Sequence, residues 1–378
     1  MSVPQELVNL IVDNLAGDIP NLKSCSLAAR AFAQPSQKHI FKQIDVLSAT
    51  VCPRFHQLLT SCSHLATYVD ELRVVAGGLY QDERKAAWVM SESTLALVLP
   101  LLHLKCISLV GNAPSSGTDF TIDWAQVNQP LKSVLAAVFS SPDLESVRIR
   151  GLVIQSPTEL LSLFKEATRL KSFAVSCIQY TLLHLPWPDS RPWRPQLTSL
   201  LISEATLTLC PYFLNPQFDL SRVTSLTIAG VLDLDRKNKL IEATASNPLQ
   251  HLAVMYAHEI DFRPDLRSLR IFTMEIMVST VRAFFVSCPA DSQLETITFD
   301  GLALNGESGD PLLNNLVAST LTRLPRLRSI TMRGYEMPGT STFSEWNASI
   351  RATLPCLVTR GLLTINELTQ KDFRTDWE

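Results

Sequence analysis

Leu197-Thr198-Ser199-Leu200-Leu201-Ile202 decides the fold, because its apolar residues at i, i+3 and i+5 return along almost the whole chain. The same spacing occurs at Phe41, Ile44, Val46; Val69, Leu72, Val74; Leu104, Ile107, Leu109; Leu144, Val147, Ile149; and Leu170, Phe173, Val175. It continues at Val223, Leu226, Ile228; Leu249, Leu252, Val254; Leu266, Leu269, Ile271; Leu294, Ile297, Phe299; and Leu327, Ile330, Met332. From first residue to first residue the intervals are 28, 35, 40, 26, 27, 26, 26, 17, 28 and 33. Four neighbours at 26 or 27 mark a genuine repeat, and a period of about 20 to 50 residues implies units that stack on their neighbours.

The spacing has a mechanical cause. Residues at i+3 and i+5 alternate with outward ones, as in a short strand, while the residue at i sits where the chain runs into that strand. Between strands the period changes: Leu131, Val134, Leu135, Val138 and Phe139 fall at i, i+3, i+4, i+7 and i+8, the apolar face of a helix. Strand and helix therefore alternate, which predicts an α/β fold with a parallel sheet. Ser156-Pro157-Thr158-Glu159 reads as an N-cap, a first-turn proline and a capping-box glutamate, and Asp310-Pro311 repeats the cap and proline. Pro100, Pro142, Pro195, Pro248, Pro264, Pro289 and Pro325 each precede a strand and keep the helix before it from running on.

Composition narrows the function. Of 378 residues, 46% are hydrophobic and 18% charged, a balance that supports an extended packed core. A net charge of -3 leaves no basic stripe for a phosphate backbone, so nucleic acid is not expected as a partner. The eight cysteines contain no CxxC pair and are expected to be reduced thiols. The most apolar stretch, Leu95 to Leu104, is broken by Pro100 and His103 and is too short to span a membrane. These features predict a cytoplasmic or nuclear protein with no membrane association. No phosphate loop, dinucleotide fingerprint, nucleophile elbow or HExxH motif occurs, and His251, His258, Glu259 and Asp261 match no familiar metal spacing. The expectation is a non-catalytic protein with no cofactor and no metal.

Residues 1–40 do not carry the repeat. Leu7, Leu10, Ile11 and Leu15 predict a short amphipathic helix, and Gly17-Asp18-Ile19-Pro20 breaks it. Leu22, Cys25, Ser26 and Ala29 begin a second helix, and Ser36 to Phe41 suggest a third. A helical bundle of about forty residues is near the lower limit for independent stability, so it is expected to lean on the first repeat, which begins at Phe41 without a linker.

Val3-Pro4-Gln5-Glu6-Leu7, then Ile11 and Leu15, then Cys25-Ser26-Leu27-Ala28-Ala29-Arg30-Ala31-Phe32, then His39-Ile40-Phe41 together resemble an F-box, most closely the F-box-like segments of mushroom-type fungi. Val3 stands where a leucine is usual, Ala28-Ala29 replace a valine-cysteine pair, and Phe32 replaces a tryptophan. The repeats that follow resemble an irregular leucine-rich-repeat array, whose characteristic asparagine is matched by Asn112, and Arg360 to Ile365 supply a last strand. The resemblance implies an F-box-like segment at 1–40, a solenoid at 41–365 with a parallel concave sheet and convex helices, and a polar tail at 366–378. It further implies the substrate-recognition subunit of a Skp-cullin-F-box type ubiquitin ligase. Val3, Pro4, Leu7, Ile11, Leu15, Leu27 and Phe32 would meet a Skp-type adaptor, and through it a cullin scaffold. The alternative is a plain interaction scaffold in which the helical segment only caps the solenoid.

The outward strand positions point to where a protein substrate would bind. At i+2 the column reads Ser146, Ser172, Ser199, Ser225, His251, Ser268, Thr296 and Ser329. Small residues suit neighbouring strands about 4.8 Å apart on a concave sheet. Against them Arg148, Arg150, Met255, Phe272, Arg270, Asp300 and Arg333 stand out. Arg148 and Arg150 leave one face of one strand, beside an insertion that carries Asp119, Phe120 and Trp124. Together these predict a substrate pocket for an acidic or phosphorylated segment, with Phe272 and Arg333 marking a second place for recognition.

Overall fold

The computed structural model describes residues 4–76, 88–111, 122–182, 195–203, 209–215, 218–229, 234–245, 249–255, 269–275, 286, 288, 292–300, 311–334 and 342–367. The chain divides into two compact units, Met1–Leu197 and Thr198–Glu378. Each is mixed α/β, with a parallel sheet whose strands follow chain order.

The first unit opens with α1 (Gln5–Asp13), α2 (Ile19–Ala28) and α3 (Arg30–Phe41). Pro4 is the N-cap of α1, where its fixed φ suits the turn and its carbonyl accepts the N–H groups of Leu7 and Val8. Gly17, at φ +94°, turns the chain after α1. Asp18 then caps α2 by accepting the Asn21 N–H at 3.2 Å. α3 begins six residues before Ser36, with Pro35 inside it. An interior proline removes a helix hydrogen bond, which hides the earlier start from a reading of the sequence.

The main sheet of this unit runs β1 (Gln43–Val46), β2 (Glu71–Val75), β3 (Cys106–Val110), β5 (Ser146–Arg150) and β7 (Ser172–Ser176), all parallel. Register puts Leu72, Ile107, Val147 and Phe173 in one row and Val74, Leu109, Ile149 and Val175 in the next. All eight are buried, as are Val69, Leu104, Leu144 and Leu170 at position i. The inward assignment of the repeat therefore holds for these four strands, whereas at the edge strand β1 Val46 is buried but Phe41 and Ile44 are only half-buried. An aromatic row runs through the core from Trp124 to Phe139, Phe164 and Phe173, with successive ring centroids 6.4, 5.3 and 5.2 Å apart. Phe139 and the buried Leu131 and Leu135 lie on the predicted helix, which spans Gln129–Phe139.

A second, three-stranded parallel sheet, not anticipated from the sequence, joins β4 (Ile122–Asp123), β6 (Leu152–Ile154) and β8 (Gln179–Tyr180). Two left-handed residues create it. Gly151, at φ +65°, follows β5, and Cys177, at φ +51°, follows β7 at the equivalent position. Glycine takes this conformation freely, whereas cysteine pays about 1 kcal/mol for it. Next to β6, Ser156 caps the helix Pro157–Ser162 as predicted: its Oγ accepts the Glu159 N–H at 3.1 Å, and the Glu159 carboxylate accepts the Gln155 N–H at 3.1 Å.

The second unit carries β9 (Ser199–Ser203), β10 (Ser225–Ala229), β11 (His251–Met255), β12 (Ile271–Glu275), β13 (Thr296–Asp300), β14 (Ser329–Gly334) and β15 (Leu363–Glu367). Leu200, Leu226, Leu252, Phe272, Ile297 and Ile330 form one inward row, closed by Leu363. Here the expected register of one repeat is wrong. Phe272 is paired with Leu252 and Ile297, so the repeat is Leu269, Phe272, Met274 rather than Leu266, Leu269, Ile271. Its interval from Leu249 is 20 residues rather than 17. Both triplets are apolar at the right spacing, so the pattern alone does not choose between them. Pairing does, since the two differ by three residues and any odd slip turns every side chain of the strand over. Near the last strands, Thr342 and Glu345 form a capping box at the start of the helix Phe343–Thr353. Trp346 of that helix lies against Gly334, where an added Cβ would come within 2.8 Å of the indole.

Candidate partner-binding surfaces

The N-terminal helices bury little of their apolar surface. In α1, Val8 and Val12 lie four apart and are fully buried. Leu7, Leu10 and Ile11, at i, i+3 and i+4, form an adjoining stripe and are 50%, 58% and 47% exposed. The helix is thus apolar on two faces, and the leucine stripe read from the sequence is the outer one. Leu27, near the end of α2, is 87% exposed. Pro4 is exposed too, whereas Leu15 and Phe32 are half-buried. Val3 lies outside the described residues. Leu10 belongs to the outer stripe although the F-box pattern did not single it out; its spacing from Leu7 was the available signal.

α3 ties this bundle together and fastens it to the repeats. His39 Nε2 meets Asp13 Oδ1 of α1 at 2.8 Å. Toward the first repeat, Gln34 donates to the Tyr68 hydroxyl at 3.3 Å, and Lys38 Nζ lies 5.9 Å from the centre of the Tyr68 ring. The bundle therefore leans on the first repeat through polar and cation-π contacts, as its small size requires.

The sheet offers a second surface. Arg148 is exposed on β5 between Ser108 and Ala174, and Arg150 is half-buried between Val110 and Ser176. Both leave the outward face, as expected. Arg73 shares the column of Arg148, two strands away, with Ser108 between them, and was not singled out from the sequence. Near the foot of this face, burial and then the carboxylates of Glu71 and Glu145 push the Cys106 thiol up, while the Arg148 guanidinium pulls it down. The remaining residues of the expected pocket do not join it. Trp124 is only 2% exposed, with Phe139 against one part of its ring and Lys132 Nζ 5.4 Å from its centre. An indole that anchors the core is not available to a partner. Asp119 and Phe120 lie outside the described residues.

The second expected place for recognition is corrected likewise. Phe272 is fully buried in the inward row, and the outward neighbour at that strand is Ile271, 42% exposed. Arg270 precedes the strand and is held by Glu295 at 2.6 Å. Arg333 remains outward and half-buried, and the side chains of Met255 and Asp300 lie outside the description. His251 sits in the outward column, with Nδ1 3.2 Å from Ser225 Oγ. Burial lowers its pKa.

Among the described residues no three His, Cys, Asp or Glu side chains converge as a metal site would require, and residues 256–268, with His258, Glu259 and Asp261, lie outside the description. Cys25, Cys52, Cys62, Cys106, Cys177, Cys288 and Cys356 are free thiols, and burial followed by the Glu92 charge pushes Cys52 up to about 12. No described helix is long and apolar enough to cross a membrane. The chain matches no protein-family model, and comparison with curated proteins returns no significant match.

Proposed function

We propose that this chain is the substrate-recognition subunit of a Skp-cullin-F-box type ubiquitin ligase, acting in the cytoplasm or nucleus. Its N-terminal helices are an F-box that holds a Skp-type adaptor, and its repeats are a leucine-rich-repeat solenoid that holds a protein substrate. The observation that carries this reading is the outer stripe of Leu7, Leu10 and Ile11, together with Leu27, all exposed on a bundle that also resembles an F-box in sequence. Large apolar side chains held in water by short helices are what a partner with an apolar groove would cover. Parallel strands that follow chain order, with the same inward rows in each unit, support the solenoid. The chain's own contribution is to hold two proteins together, with no cofactor and no bond made or broken by its side chains.

Affinity capture from the source cell with peptide identification tests the first half. Adaptor and cullin peptides are expected with the wild type. Replacing Pro4 and Leu7 together by polar residues is expected to abolish their capture and leave the circular dichroism unchanged, because both side chains are exposed. Retained capture by the double variant would instead favour a scaffold whose helices are only a cap, the reading that the Tyr68 contacts support. For the substrate, Arg148→Ala with Arg150→Ala is expected to keep the adaptor and lose other partners. An unchanged partner set in that variant moves recognition away from β5.

A further inference from the structure

The residue at i+1, just before each strand, has a role that the repeat spacing does not disclose. Within each unit, from Lys42 to Glu145 and from Thr198 to Glu295, its carbonyl accepts two N–H groups from the next repeat. Lys42 O takes those of Asp70 and Glu71, Asp70 O those of Lys105 and Cys106, Lys105 O those of Glu145 and Ser146, and Glu145 O those of Lys171 and Ser172. The second unit repeats the arrangement from Thr198 O, which takes the N–H groups of Thr224 and Ser225, to Glu295 O, which takes those of Arg328 and Ser329. The i+1 residues are therefore brought into one column within each unit by the backbone, one per turn.

Where they are charged, their side chains alternate in sign; Thr198, Thr224 and Gln250, which open the second unit's column, carry no charge. The first unit reads Lys42, Asp70, Lys105, Glu145, Lys171, and the second ends Arg270, Glu295, Arg328, so each of the six neighbouring charged pairs is of opposite sign. Lys105 Nζ meets Asp70 Oδ1 at 2.8 Å, Lys171 Nζ meets Glu145 Oε2 at 2.9 Å, and Arg270 Nη2 meets Glu295 Oε1 at 2.6 Å. The coupling extends beyond single pairs. Lys105 is held protonated by Asp70 first and by Glu145 as well, while Glu145 is held ionised by Lys171 first and by Lys105 and Arg169 as well. The columns on either side do not share this pattern: at i+2 the first unit has Gln43, Glu71, Cys106, Ser146 and Ser172.

We propose that the i+1 column is a charge code that fixes how successive turns seat on one another. The apolar rows are nearly interchangeable from turn to turn and specify little about which turn meets which. A charge at i+1 disfavours a neighbour of the same sign, because like charges placed directly opposite are destabilising. The code adds specificity more than strength, since exposed ion pairs contribute little individually.

The test uses the full chain and three variants, read by thermal melts and amide exchange at low and at high salt. Lys105→Met removes the charge; Lys105→Glu places three negative residues in succession. A fivefold inversion, Lys42→Glu, Asp70→Lys, Lys105→Glu, Glu145→Lys and Lys171→Glu, restores alternation with every sign reversed. At low salt Lys105→Glu is expected to melt about 2 °C below Lys105→Met, with faster exchange at the Cys106 and Ser146 amides, and added salt is expected to close the gap. The inverted ladder is expected to recover the exchange protection. Equal melting of Lys105→Glu and Lys105→Met at low salt overturns the proposal. So does an inverted ladder that exchanges as fast as Lys105→Glu or fails to fold.

Discussion

The N-terminal helices and the strands of the repeats treat apolar residues in opposite ways. In the strands, position i and the i+3 row are buried from Val69 through Ile330, and the outward columns are mostly serine, threonine and alanine. In the helices, Leu7, Leu10, Ile11 and Leu27 face outward. The repeats satisfy themselves with their own neighbours, so substitutions there are read mainly as stability. The bundle leaves several large apolar groups in water, so under the proposed function substitutions there are read mainly as binding.

The sharpest way to break this contrast lies at β12, where two adjacent apolar residues face opposite ways. Phe272→Ala is expected to cost about 3–5 kcal/mol, because it empties a closed site in the inward row. Ile271→Ala, on the outward side, is expected to cost less than about 1 kcal/mol. Chemical denaturation of the two variants checks the order, and a reversed order would restore the register first expected from Leu266, Leu269 and Ile271.

That strand also marks where the sequence stopped being sufficient. Leu200 and Leu226 were assignable from spacing alone because the intervals of 26 and 27 residues on either side pick out one triplet in each repeat. Between 266 and 274 two overlapping triplets compete, and only pairing with Leu252 and Ile297 separates them. The small sheet of β4, β6 and β8 was illegible for a different reason: its strands are two or three residues long, below the length at which alternation is visible, and they depend on the left-handed Gly151 and Cys177. Of the expected substrate pocket, the shared face of Arg148 and Arg150 followed from their two-residue spacing. Trp124 did not follow, since an aromatic in an insertion carries no sign of whether the insertion folds back onto the core. In α1 the helix itself was legible, but which of its two apolar faces would be buried depends on α3.

On the bundle side of the contrast the expected effect on stability is smaller. Leu27→Ser is expected to change stability by no more than about 0.5 kcal/mol, given a side chain so exposed, and to lower capture of the adaptor. A loss of stability well above that value in denaturation would show that Leu27 is covered within the chain, and the two regions would then not differ as described.

The smallest effect expected is a dependence on pH confined to the outward column of the second unit. Burial disfavours the charged imidazole of His251, so its pKa in the folded chain lies below the ordinary 6.5. The unfolded chain therefore takes up a proton that the folded chain resists. Stability is complete above 6.5 and declines as the pH falls through 6.5 toward the folded value. His251→Gln is expected to flatten the fall in melting temperature between about pH 7 and about pH 5. If wild type and variant decline in parallel, the imidazole is hydrated and the column more open than its burial indicates.

The alternating column from Lys42 to Lys171 bears on how such a chain changes length over generations. Loss of the single turn that holds Lys105 would set Asp70 against Glu145, two negative charges at one junction. Loss of the two turns holding Lys105 and Glu145 would set Asp70 against Lys171 and leave the alternation whole. Under the proposed code, the change of length that keeps the alternation in this stretch is therefore a pair of turns, twice the period that the leucines display.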